Sequence, residues 1–140
     1  MQENIVKKCE YDRWNDVKKV VDKKEIIPTF KERGIYWASI GRNIGYEQNG
    51  KGGEYLRPLL VFRKFSKNSF LGIPLTTNQK DDKFHFIFSF TTGKVSSASL
   101  SQLRLFDAKR LNRKIGKIST EDFSKMEDKV KGMLFPLSRG

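Results

Sequence analysis

The alternation of Phe84, Phe86, Phe88 and Phe90 with His85, Ile87 and Ser89 constrains the fold more than any other stretch of the 140 residues. Successive side chains of an extended chain point to opposite faces, so a strict period of two builds one aromatic face and one mixed face. In a helix the same spacing would scatter the four rings around the axis. From Gly34 onward Ile35-Tyr36-Trp37-Ala38-Ser39-Ile40 is also extended, and Leu59-Leu60-Val61-Phe62 is apolar on both faces, as a central strand requires. Phe70 to Thr76 is a third run, in which Gly72 and Pro74 predict an edge position or a bulge. Thr91-Thr92-Gly93-Lys94 supplies a short turn, and Val95 to Phe106 gives at least one more strand. Five strands joined by short turns, with no helix between them, predict a mainly β chain folded as a small antiparallel barrel.

Helices flank this barrel. Trp14, Val17 and Val21, with Tyr11 upstream, form one stripe and predict an amphipathic helix from about Glu10 to Glu25, ended by the approach to Pro28. Residues 1–31 carry eight basic and six acidic side chains and read as an N-terminal helical extension; residues 32–140 read as the barrel domain. Near the other end, Ser119 or Thr120 can cap a helix with Glu121 and Asp122 in its first turn. Phe123, Met126, Val130, Met133 and Leu134 fall on one face of it, a stripe expected to close one side of the barrel.

Charge narrows the class of partner. The chain has 28 Lys+Arg against 16 Asp+Glu, a net of +12, which favours nucleic acid, an acidic protein or an anionic membrane surface. With 37% hydrophobic residues and eleven Phe there is enough apolar mass for a core, which excludes a disordered chain. No apolar run approaches the ~18 residues of a spanning helix. The first residues lack an apolar signal core, and the single cysteine, Cys9, can form neither an internal disulfide nor a cysteine-rich zinc site. A soluble, cytoplasmic basic domain is the expectation.

Between the first two strands, residues 41–56 hold five of the eleven glycines. A connection of this length is either a plain surface loop or a functional one, a phosphate cradle or a flap; no Gly-Lys-Ser/Thr ending makes it a nucleotide loop. Arg57 follows directly, held in extended geometry by Pro58 at the mouth of the next strand. Thr76 and Thr77 end the third strand. Between Leu100 and Lys117 six basic residues face one acidic residue, a density that suits phosphate contacts, which give affinity without base specificity. His85, the sole histidine, sits between Phe84 and Phe86 and reads as structural; the neighbouring Asp81 and Asp82 would point apart if extended and make no metal pair.

Gly-Ile-Tyr-Trp-Ala (34–38), Ile-Gly-Tyr-Glu-Gln (44–48), Arg-Pro-Leu-Leu-Val (57–61), Ile-Pro-Leu-Thr-Thr (73–77) and Ser-Gln-Leu-Arg-Leu-Phe-Asp (101–107), in this order, resemble the PemK/MazF family of toxin endoribonucleases over roughly residues 32 to 135. The resemblance implies an SH3-like barrel, a homodimer, cleavage of single-stranded RNA without a metal or other cofactor, and neutralisation by a cognate antitoxin. A net charge of +12 suits an acidic antitoxin segment. By the same resemblance the catalytic pair falls on Arg57 and Thr76. RNA contacts fall on Glu47, Gln48, Lys51, Thr77, Gln102 and Arg104. Some members carry histidine where Tyr46 stands and aspartate where Ser101 stands, so the arginine–threonine scheme is the one this sequence can run.

RNA brings its own nucleophile, the 2′-OH, so the protein has to align it and stabilise the charge that grows on phosphorus. Arg57 offers bidentate donors matched to phosphate oxygens, and Thr76 a hydroxyl donor. Tyr46, Asn49 and Tyr55 are candidates for holding unstacked bases. Two other functions fit a basic barrel of this kind: a non-catalytic RNA- or protein-binding module, and a topoisomerase-inhibiting toxin on the same fold.

Overall fold

Leu59, Leu60 and Val61 lie fully buried near the middle of an antiparallel sheet, where their two apolar faces require them to be. The computed structural model describes residues 2–41, 50, 55–91 and 94–136, with the side chains of residues 2–9 and 91 left aside. In chain order the elements are α1 (Gln2–Asp22), β1 (Gly34–Ser39), β2 (Leu56–Lys64), β3 (Ser69–Thr76), β4 (His85–Thr91), β5 (Lys94–Ser99), β6 (Arg104–Asp107), β7 (Leu111–Lys117) and α2 (Thr120–Leu134). Short 3-10 turns occupy Leu100–Gln102 and Ala108–Arg110. The strands run in the order β4-β5-β3-β2-β1-β7, with β6 also paired to β3.

Alternation along the central strands separates two cores. Ile35 and Leu60, paired across β1 and β2, face one; Tyr36 and Leu59, the next pair, face the other. Helix α2 lays Phe123, Met126 and Val130 on the first, against Leu60, Ile73 and Leu75. The second is filled by Phe30, Phe70 and Phe106, with Phe70 and Phe106 stacked at 5.9 Å between centroids. Each such side chain withdrawn from water stabilises the fold by about 1.5–3 kcal/mol. The sheet curls until β4 meets β7: Phe90 packs on Gly116, where a Cβ would stand 2.6 Å from the ring. Any larger residue there would push the two ends apart. The result is the expected mainly β, curled antiparallel fold with a helix at either end of the chain.

Several elements differ from the sequence reading. Helix α1 spans Gln2–Asp22, not Glu10 to Glu25, although Trp14 is its buried contact as the stripe requires. There are seven strands among the described residues instead of five. The run from Val95 to Phe106 is broken by the Leu100–Gln102 turn, so its alternation does not carry through. Leu111–Lys117 had been legible only as a basic cluster; it is a strand because it pairs with β1, a long-range contact that its own composition does not announce. Strand β3 is central, and of the two expectations for Gly72 and Pro74 the bulge is realised: the register shifts in β2 between Val61 and Arg63, opposite Gly72 and Leu71. Pro74 is tolerated where β3 changes partner. Residues Ser69 to Gly72 pair with β6 and residues Leu75 and Thr76 with β5, so on that side Pro74 lies between the two ladders.

At the start of α2 the cap is Ser119, whose Oγ accepts from the Asp122 N–H at 3.1 Å, with Glu121 and Asp122 in the first turn. No helix among the described residues is long and apolar enough to cross a membrane.

Candidate active site

Antiparallel pairing places the start of β2 beside the end of β3. The registered pairs run from Lys64↔Phe70 to Leu59↔Pro74, and the chain continues two residues further on each strand to Arg57 and Thr76. The Arg57 Nη1 donates to the Leu75 carbonyl at 3.2 Å, which holds the guanidinium against the end of β3. On its other side Arg57 pairs with Ala38 of β1.

These strand ends border a cavity of about 810 Å³. Arg57 and Pro58 contribute from β2; Leu75 and Thr76 from β3, with Thr77 just after it. Trp37 of β1, Ser96 of β5, and Asn112 and Arg113 of β7 complete the lining together with Leu56. Two guanidinium groups, two threonine hydroxyls and one indole therefore share a single concavity. That set suits a phosphate with an attached base and sugar. Partial burial of Arg57 lowers its pKa from the ordinary arginine value, because removing water disfavours the charged form. The Thr76 Oγ1 accepts from the Asn78 N–H at 3.2 Å, which fixes the oxygen and leaves the hydroxyl hydrogen to donate elsewhere. Across the β3–β5 ladder Thr76 pairs with Ser97, whose fully buried hydroxyl has no hydrogen-bond partner among the described residues.

The remaining candidates are dispersed. Glu47, Gln48 and Lys51, with Tyr46 and Asn49, lie outside the described residues. The ends of the segment that carries them are tied together: the Gly50 N–H donates to the Gly41 carbonyl at 2.7 Å, and the Ile40 N–H to the Tyr55 carbonyl at 3.1 Å. Tyr55 is 8% exposed and its hydroxyl donates to the Glu10 carbonyl at 2.9 Å, so its ring is packed and not offered to a base. Gln102 ends a 3-10 turn and Arg104 starts β6; neither is among the residues that line the cavity. The Arg104 guanidinium lies over the Phe106 ring at 4.3 Å from its centroid. It faces Arg110, whose pKa is lowered by burial first and then by the charge of Arg104, against an opposing effect of Asp107. His85 opens β4 with its Nδ1 at 2.7 Å from Asp82 Oδ1, away from the cavity lining. Among the described residues no group of three His, Cys, Asp or Glu stands together as metal ligands.

Sequence reasoning missed Trp37, Ser96 and Asn112. Trp37 sat inside a strand pattern and carried no sign of which face it would occupy. Arg113 was visible only as one charge of a basic run. No local signal marks Ser96 or Asn112, which reach the site through pairings of β5 and β7 with strands distant in sequence.

A family model described as PemK-like, MazF-like toxin of type II toxin–antitoxin system matches residues 31–134. Among solved structures, the Mycobacterium tuberculosis toxin MazF-mt6 superposes with a TM-score of 0.57 at 16% identity, covering 76% of this chain and 99% of that one. MazF (Form-I) from Deinococcus radiodurans gives a TM-score of 0.59 at 16% identity, over 79% of this chain and 98% of that one. MazE-MazF (Form-II) from the same organism gives 0.55 at 13% identity, with coverage of 79% and 98%. At such identities the likeness establishes the fold. No curated protein matches the chain at a significant level.

Proposed function

This chain belongs to the PemK-like, MazF-like toxin family of type II toxin–antitoxin systems, and from that premise we propose that it is a sequence-specific endoribonuclease that cuts single-stranded RNA without recruiting a metal. The observation that carries this reading is the common cavity of Arg57 and Thr76. In the reaction the 2′-oxygen loses its proton and bonds to phosphorus, the bond from phosphorus to the 5′-oxygen breaks, and the departing 5′-oxygen takes up a proton. The products are a 2′,3′-cyclic phosphate and a 5′-hydroxyl end. Negative charge accumulates on the non-bridging oxygens as the fifth bond forms. In this reading Arg57 holds those oxygens through its guanidinium N–H donors and Thr76 through its hydroxyl.

The other lining groups supply binding. Arg113 adds a second cation for a neighbouring phosphate, and Trp37 offers a stacking surface for a base. Thr77, Gln102 and Arg104 and the loop residues Glu47, Gln48 and Lys51 are assigned to RNA contacts on the family resemblance. The partners that go with this reading are a cognate acidic antitoxin, whose flexible segment competes with RNA for a basic surface, and a second copy of the chain in a cytoplasmic homodimer. A chain of net charge +12 attracts either polyanion.

Incubation of the purified protein with long single-stranded RNA in EDTA, followed by mapping of the ends, tests the proposal. Cuts with cyclic phosphate ends, lost in Arg57→Ala, are expected. RNA retained intact in a salt-dependent manner would make the protein a binding module instead, and inhibition of a topoisomerase with RNA untouched would place it in a different toxin class.

A further inference from the structure

Helix α1 ends before the segment matched by the family begins, yet it packs beside the start of β2, and the turn that follows it reaches β7. Its buried Trp14 packs at the foot of the glycine-rich segment. A Cβ on Gly41 would stand 2.0 Å from Trp14 Cε2, and Gly41 itself has φ +82, so only glycine lets the indole lie there. The same indole meets the Tyr55 ring at 5.5 Å between centroids, and the Tyr55 hydroxyl donates to the Glu10 carbonyl of α1. Tyr55 has φ 55, a left-handed conformation that non-glycine residues hold only when their surroundings impose it. Arg57 is two residues further on. On the other side, Lys24 in the turn after α1 donates from Nζ to the Leu111 carbonyl and to Asn112 Oδ1, both at 3.3 Å, and Asn112 lines the cavity.

We infer that α1 is a positioning element for the cleavage site: Trp14 and the Glu10 carbonyl hold Tyr55 in its strained conformation and so aim Leu56 and Arg57, while Lys24 sets Asn112 on the facing strand. The inference rests on the cleavage reading above. The contacts that carry it are those of α1 with Gly41 and Tyr55 and those of Lys24, just after the helix, with Leu111 and Asn112; none is with a residue assigned to the reaction, so the extension acts through the residues it holds. A displacement of about 1 Å at a reacting group lowers a rate by up to 10²-fold while leaving substrate affinity in place.

The experiment compares the full chain with Trp14→Ala and Trp14→Phe in cleavage of one defined single-stranded RNA, and follows amide hydrogen exchange at Leu56 and Arg57 without RNA. For Trp14→Ala, kcat is expected to fall between about 10- and 100-fold with KM unchanged, and exchange at the two amides to accelerate. Trp14→Phe keeps an aromatic ring over Tyr55 and restores most of both. Unchanged kcat, unchanged exchange, or a rise in KM alone overturns the inference, the last by making α1 an RNA-binding element. If the unaltered protein cuts no RNA, the cleavage reading falls by itself, and exchange at Leu56 and Arg57 still decides whether α1 holds them. If Trp14→Ala does not fold, Tyr55→Phe removes the tie to the Glu10 carbonyl and is read by the same two measurements, while Lys24→Ala removes the tie to Asn112 and is read by kcat alone.

Discussion

The Arg57 Nη1 donates to the Leu75 carbonyl at 3.2 Å, so the second residue of β2 is bonded to the residue before Thr76. This contact makes the positions of the two proposed reacting groups depend on one another. A shift of β3 at Leu75 carries Thr76 and the guanidinium together, which preserves their relation to a phosphate between them.

Replacement of Arg57 is expected to abolish most of the activity. Loss of a charge-stabilising donor of this type costs on the order of 10²–10³ in rate. Arg57→Lys keeps the charge but loses the bidentate geometry, so it should recover only a small part. Single-turnover cleavage measures both variants, and wild-type rates in either would remove Arg57 from the mechanism.

Thr76→Val and Thr76→Ser separate the hydroxyl from the shape of the side chain. A hydrogen bond to a charged group contributes about 1.5–3 kcal/mol, or about 10- to 150-fold in rate. Thr76→Val should show that loss in kcat, and Thr76→Ser should stay near the unaltered protein. Equal rates in all three would show that the oxygen takes no part.

Trp37 lines the cavity but belongs to binding in this scheme. Stacking of one base on an aromatic ring contributes about 1–3 kcal/mol. Trp37→Ala is therefore expected to raise KM, and the Kd for an uncleavable RNA analogue, by about 5- to 150-fold, with kcat little changed. A fall in kcat at constant KM would assign the indole to positioning.

Ser97 pairs with Thr76 and buries a hydroxyl that has no hydrogen-bond partner among the described residues. An unsatisfied buried hydroxyl costs about 1–3 kcal/mol, so Ser97→Ala should leave the melting temperature unchanged or raise it. A lower melting temperature in Ser97→Ala would show that the hydroxyl is hydrogen-bonded in the folded chain.

The Asp82 carboxyl is held below the usual carboxylate range by its hydrogen bond with His85 and then by the backbone N–H of Phe84. A depressed folded-state pKa contributes stability that is present above the unfolded value of about 4 and is lost as pH falls through the folded one. Asp82→Asn should therefore lower the melting temperature by a few degrees at most near pH 7, with the difference from the unaltered protein vanishing in strong acid. A difference that persists undiminished in strong acid would contradict this ionisation.

Strand β4 and the capped α2 were legible because each is written in a local period: two for the Phe86–Phe90 run, helical for Phe123, Met126 and Val130. Arg57 was legible as a fixed residue because Pro58 restricts it without help from the rest of the chain. By contrast β7 carries few apolar residues and became a strand only by pairing with β1, and Arg113 and Asn112 joined the cavity with it. The break at Leu100–Gln102 follows from β5 and β6 both pairing with β3, and no periodicity within that segment announces it.

From its order of residues alone the chain determined that segments in the β1–β4 region extend, that two segments coil into helices, and that a rigid arginine and a strand-end threonine stand at segment boundaries. These are consequences of neighbours in sequence: side-chain alternation, capping and the proline ring. Only the tertiary structure decided that Arg57 and Thr76 border one cavity, that Tyr55 is buried under Trp14, and that the segment after α1 reaches Asn112. Register and docking depend on which distant apolar faces bury together, and that selection is made by the whole chain at once.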